Sequence, residues 1–127
     1  MTLNNKISVM IVDDSKFMRV MIADVLKGQG DIEVIALVED GQEALSKLET
    51  ISPDVILLDL KMPKIDGITV LKKLKQRQSK IRVIVVSAYA LENTELILNN
   101  LEGGAIDFLL KPTMENGHDL NKFSNVN

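Results

Sequence analysis

At 127 residues, 46% of them hydrophobic and 26% charged, the chain has the size and composition of one soluble domain with its own core. It has no cysteine, which excludes disulfides and zinc–thiolate centres, and no apolar run long enough to span a membrane. A net charge of −3 gives no support for a nucleic-acid-binding face, and the lysines read as scattered, solvated surface.

The opening MTLNNK carries no apolar secretory core and leads into a first strand at Ile7–Val12, so the expected compartment is the cytoplasm. Met18, Met21, Ile22 and Val25 then recur at i, i+3, i+4 and i+7, which predicts a helix that ends at Gly28 and Gly30. Ile32–Val38 predicts a second strand. Asp40-Gly41 opens a second helix with the stripe Ala44, Leu45 and Leu48, and Ser52-Pro53 closes it. Val55–Leu58 predicts the third strand. Asp66-Gly67 reads as a turn and cap for a third helix along Ile68, Leu71 and Leu74. Ile81–Val86 predicts the fourth strand. Leu91, Thr94, Ile97, Leu98 and Leu101 predict a fourth helix closed by Gly103-Gly104, and Ile106–Leu110 the fifth strand. Beyond Pro112, Leu120, Phe123 and Val126 outline only a weak fifth helix, because Gly117 and several asparagines disfavour it.

Strands rich in Val and Ile that alternate with helices over short connections predict an α/β fold with a parallel sheet covered on both faces. Right-handed crossovers favour the flavodoxin-like three-layer α/β/α sandwich, five strands in the order 2-1-3-4-5. Ligands of such sheets sit at the carboxyl ends of the strands, near the switch point between strands 1 and 3.

Those ends carry the informative residues. Strand 1 runs into Asp13-Asp14, strand 3 into Asp59, strand 4 into Ser87 and strand 5 into Lys111. Singly each has an ordinary reading: Asp14 or Ser15 as a helix cap, Asp59 as a loop residue before Pro63, Lys111 as solvated surface. Together they converge on one rim. Three neighbouring carboxylates repel one another, so a proton is retained or a cation drawn in. A few hard oxygen donors suit Mg²⁺, which keeps part of its water shell for phosphate oxygens. Asp59, a costly carboxylate at the end of the apolar run Val55–Leu58, then reads as the nucleophile that accepts a phosphoryl group. The ammonium of Lys111 and the hydroxyl of Ser87 would face the transferred group.

The segments IVDDS (11–15), DGQEAL (40–45), PDVILLDLKMPKIDG (53–67), VIVVSA (83–88) and GAIDFLLKP (104–112) resemble, in order and spacing, the CheY-like receiver domains of two-component response regulators. The resemblance runs from about Ile7 to Pro112. It implies that Asp59 is the phosphoacceptor, that Mg²⁺ (for which Mn²⁺ can substitute) is held by Asp13, Asp14, Asp59 and the backbone carbonyl of Lys61, and that Lys111 pairs with the phosphoryl group. It implies that Ser87 is the switch hydroxyl and Phe108 the aromatic that follows it. It further implies a cis peptide bond at Lys111-Pro112. Residues 6–113 would form the receiver, 1–5 a flexible N-terminus, and 114–127 a weak fifth helix or tail, or the start of a linker to an output domain outside this chain. DDSKFMRVMIADVL (13–26) and GDIEVIALVEDGQEAL (30–45) look most like receivers attached to the chemotaxis protein methylesterase, with transcription-factor receivers next.

The partners implied are a sensor histidine kinase as phosphodonor and an output domain or partner protein at the face made by the fourth helix, fifth strand and fifth helix. Direct nucleic-acid binding and membrane association are not expected, and the chain would be a monomer or weak homodimer. Chemistry would be limited to self-phosphorylation and self-dephosphorylation. Lys61 and Tyr89 stand at positions where family members vary. A ring at Tyr89 that shields the acyl phosphate predicts slow phosphate loss, and Tyr89→Ala is expected to release phosphate faster in a mass-spectrometric time course.

Three other functions fit the sequence less well. A Mg²⁺-dependent phosphohydrolase with an aspartyl nucleophile would want two aspartates separated by one residue and a cap domain. A nucleotide or flavin binder would want a Gly- or Ser/Thr-rich loop where DDSKFMR stands. An unphosphorylated scaffold receiver would want its chemical residues missing. Met10, Met18 and Met21 are expected in the core, Asp107 at the solvent, and His118 in no metal site. Leu96-Ile97-Leu98 cannot all face one side of a helix, which hints at a partner surface.

Overall fold

The computed structural model describes residues 6–60, 62, 64–87 and 106–110, and at 87, 106 and 108–110 the description extends to the backbone only. Its elements are β1 (Ile7–Val12), α1 (Lys16–Lys27), β2 (Ile32–Val38), α2 (Gly41–Lys47), β3 (Val55–Leu58), α3 (Gly67–Gln76), β4 (Arg82–Ser87) and β5 (Ile106–Leu110). The five strands form one sheet in the order β2-β1-β3-β4-β5, every pair parallel. This is the expected doubly wound order.

Strand β1 shows why. Val9, Met10, Ile11 and Val12 are all at most 1% exposed. Their side chains alternate between faces, as a pleated strand requires. Met10 and Val12 join Ile56, Leu58, Val70 and Leu71 in the layer that α2 and α3 cover, while Val9 and Ile11 join Ile22, Leu26 and Leu57 in the layer under α1. Each of these large side chains contributes about 1.5–3 kcal/mol on burial. Met10 and Met18 are buried and Met21 packs against the α1 layer, as expected.

Strand β4 begins one residue later than the sequence pattern suggests. The Ile81 amide donates to Ser79 Oγ in the preceding turn, and the ladder starts with the Arg82 amide on the Asp54 carbonyl. Ile35 on β2 is an extra residue, because Val9 pairs with Val34 and Met10 with Ala36.

The helix starts follow side-chain caps. Ser15 Oγ accepts from the Met18 amide, so Ser15 rather than Asp14 caps α1, and Asp14 is left for the rim. Asp40 accepts from the Glu43 amide and Asp66 from the Thr69 amide at 2.8 and 2.9 Å. Helix α1 ends at Gly28, as expected. Helix α3 ends differently: Gln78 sits at φ 56° without being glycine, and the Ser79 amide reaches back to the Leu74 carbonyl at 3.0 Å.

Asp107 is exposed, in line with its expected position. The fourth helix with Leu96-Ile97-Leu98, Tyr89, the Lys111-Pro112 bond, His118, the tail and the N-terminal residues 1–5 lie outside the described residues. Among the described residues no helix is long and apolar enough to cross a membrane.

Candidate functional site

The site is built where two central strands stop. β1 ends at Val12 and β3 at Leu58, and the ladder continues one step past each. The Asp13 amide donates to the Val38 carbonyl at 3.0 Å, and the Asp59 amide to the Val12 carbonyl at 2.9 Å. The backbones of Asp13 and Asp59 are therefore fixed by three neighbouring strands. Because the chain goes from β1 to β2 on one side and then crosses to β3 on the other, this is the switch point of the sheet.

Asp13 and Asp59 are 2% and 5% exposed, while Asp14 is exposed. Carboxylate oxygens of Asp13, Asp14 and Asp59 all lie within 4.8 Å of one another. Asp13 Oδ1 accepts from the Ser15 amide at 2.8 Å, and Arg19 Nη1 donates to the Asp13 carbonyl at 2.6 Å. Helix α1 thus holds Asp13 from both its side chain and its backbone. Three anionic oxygens so close together, two of them on shielded side chains, fit a hard divalent cation that takes oxygen ligands.

The turn after Asp59 is clamped as well. Leu60 is 8% exposed, and Leu60, Met62 and Ile65 all pack on the α2/α3 core layer. The Gly67 amide donates to the Leu60 carbonyl at 2.9 Å. A Cβ at Gly67 would overlap the Asp59 carbonyl oxygen and lie 2.8 Å from Leu60 Cα. Gly67 therefore does more than open a helix: only its lack of a side chain lets α3 press against the backbone of Asp59 and Leu60. Nothing in the local sequence distinguishes this role from an ordinary turn glycine.

Of the other expected site residues, Ser87 is the last residue of β4 and pairs with Leu110 at the end of β5, while Phe108 pairs with Val85. Since Leu58 pairs with Val85, Ser87 ends its strand on the same rim as Asp59. Lys61 and Lys111 lie outside the described residues. Two neighbours of the rim escape hydrophobic-stripe reasoning, which looks for buried residues. Arg19 anchors Asp13, and Phe17, near the start of α1, is 71% exposed.

A second acidic group, Glu39, Asp40 and Glu43, also falls within 4.8 Å. There Asp40 caps α2, and Lys64 lies 3.8 Å from its other oxygen, so the arrangement is accounted for by the helix start.

Residues 9–120 match the family described as "Response regulator receiver domain". The protein-glutamate methylesterase/protein-glutamine glutaminase of Bacillus subtilis is 44% identical over 116 residues, 91% of this chain and 32% of that protein. Chemotaxis protein CheY of the same organism is 41% identical over 104 residues, 82% of this chain and 84% of that one. Among solved structures, the CheX-CheY-BeF3-Mg+2 complex from Borrelia burgdorferi superposes with a TM-score of 0.74 at 30% identity, covering 84% of this chain and 78% of that one. The chain belongs to the response regulator receiver domain family. It spans about a third of the methylesterases it matches.

Proposed function

We propose that this receiver accepts a phosphoryl group on Asp59 from a histidine kinase and changes an output face in response. The observation that carries the reading is the close set of Asp13, Asp14 and Asp59 oxygens at the switch point of the sheet. In the transfer, an Asp59 carboxylate oxygen attacks phosphorus, the bond from phosphorus to the donor imidazole nitrogen breaks, and the imidazole recovers its electron pair. Asp59 is held for that attack by its ladder bond to Val12 and by the Gly67 contact.

Asp13, Asp14 and Asp59, with the Lys61 carbonyl, would hold Mg²⁺ or Mn²⁺, which neutralises charge on the phosphoryl oxygens when bound. The Borrelia CheY complex, solved with Mg²⁺ and BeF3, supports this assignment by likeness. Lys111 would pair with the phosphoryl group, and Ser87 would donate to it. Phe108, on the neighbouring strand, would follow Ser87 as the population shifts toward the active arrangement. The output would pass to a domain or partner at the face of the fourth helix, β5 and the tail. Residues 6–113 would suffice for the switch, acting in the cytoplasm. The likeness to methylesterases makes such an enzyme one candidate output, and the likeness to CheY makes a separate partner the other.

Phe17 gives the phosphodonor a docking point. It stands in the first turn of α1, three residues past Asp14, and an exposed aromatic close in sequence to the acidic rim suits an interface anchor. Phe17→Ala is expected to slow transfer from the kinase about tenfold and to leave labelling by acetyl phosphate unchanged. Parallel time courses with the two donors check this, and equal slowing with both would remove the docking role. The reading as a whole is tested by Mg²⁺-dependent phosphoryl uptake at Asp59. A scaffold receiver would show none.

A further inference from the structure

The expectation of scattered lysines fails in one place. Lys72, Lys73, Lys75, Arg77, Lys80 and Arg82 fall within eleven positions, and no acidic residue occurs between Asp66 and Glu92. All six are exposed, and among the described residues none is within ion-pair distance of a carboxylate. The fold gathers them because α3 ends at Gln76, and the turn through Gln78 and Ser79 leads straight into β4. This basic band lies at the amino-terminal rim of the sheet, opposite Asp59, on a chain whose net charge is −3.

Beside the band is a cleft of about 490 Å³ between the carboxyl-terminal ends of α2 and α3. Leu48, Leu74 and Ile81 supply apolar walls, and Arg77 and Lys80 line it with positive charge. Asp54, the acidic residue of the lining among the described residues, is hydrogen-bonded elsewhere: Asp54 Oδ2 accepts from both the amide and the hydroxyl of Ser8, at 2.9 and 3.1 Å. The cleft thus combines apolar walls with two cations and one carboxylate, and among the described residues neither cation is within ion-pair distance of a carboxylate.

We propose that this cleft and its basic band form a docking site for an acidic peptide segment of a partner protein, anchored by an apolar side chain. Charge complementarity selects the acidic segment, and the walls of Leu48, Leu74 and Ile81 select the anchor. A nucleic acid fits less well. Among the described residues no aromatic side chain lines the cleft for base stacking, and a long polyanion would run into a chain whose other charged residues are mostly acidic. A membrane also fits less well, because the apolar groups line a concavity instead of projecting. The site lies away from the phosphoacceptor rim, so it can hold a partner in either phosphorylation state.

The test is an amide-resolved NMR titration of the full chain with a twelve-residue peptide of glutamates with leucine at every third position. Single-stranded DNA and phosphatidylglycerol vesicles are run in parallel. The expected result is that the peptide shifts Ser52, Asp54, Arg77 and Ile81, and binds more weakly as salt is raised. R77E/K80E should weaken it about tenfold or more, and R77Q/K80Q by less. Both variants should keep Mg²⁺-dependent phosphoryl uptake, which separates this site from the phosphoacceptor chemistry. Shifts confined to other surfaces, an unchanged affinity in R77E/K80E, or tighter binding of DNA or vesicles at this rim would each overturn the proposal.

Discussion

Asp14→Ala is expected to lower Mg²⁺ affinity by at least about tenfold, while the metal-free protein becomes more stable by a few degrees in Tm. Asp14 makes the cleaner test of the three carboxylates. Asp13 also binds the Ser15 amide, and Asp59 is buried at the strand end, whereas Asp14 is exposed and α1 is capped by Ser15 instead. Without a cation the three neighbouring charges oppose one another, so removing one relieves repulsion. With a cation they cooperate, so removing one weakens the site. Isothermal titration with Mg²⁺ and thermal melts without it read the two effects separately. A variant that lost stability without metal, or bound Mg²⁺ as the parent does, would show that the cluster is not a shared cation site.

Gly67→Ala carries the second large effect. The added methyl would meet the backbone of Asp59 and Leu60, which cannot swing away as a side-chain tip can. Overpacking of this kind costs about 1–3 kcal/mol, which in a domain of this size lowers Tm by about 4–11 °C. Because the collision falls on the backbone of Asp59, the proposed acceptor, phosphoryl uptake should slow even at temperatures where the variant is fully folded. Gly30→Ala is the control, since a Cβ there meets nothing within 4 Å. Equal melting temperatures for the two variants would contradict the clamp.

Much of the fold was legible because the inner strands β1 and β3 are buried on both faces along most of their length. A strand with no solvent face must read as an unbroken apolar run, as Ile56, Leu57 and Leu58 do, and such runs separated by helical spacing leave few topologies. The three aspartates were legible for the same reason: each follows an apolar run, where a carboxylate is unexpected unless it has a task. What escaped depends on contacts between distant parts of the chain. Asp14 and Ser15 are both good caps, and only the geometry shows which hydroxyl or carboxylate the Met18 amide chose. Gly67 looks like any turn glycine until Asp59 and Leu60 are placed beside it. The basic residues of 72–82 already cluster in the sequence, but the sequence does not show which surface they share. The turn from α3 into β4 sets them at the rim beside the cleft.

The claim on which the account depends is that Asp59 accepts phosphate with the help of a divalent cation at Asp13 and Asp14. Intact-mass spectrometry after incubation with acetyl phosphate tests it most directly, with Mg²⁺ or with chelator, on the native chain and on Asp59→Asn. The account predicts a gain of one phosphoryl group in the native chain with Mg²⁺, and none with chelator or in Asp59→Asn. The same gain in Asp59→Asn, or in the presence of chelator, would contradict it.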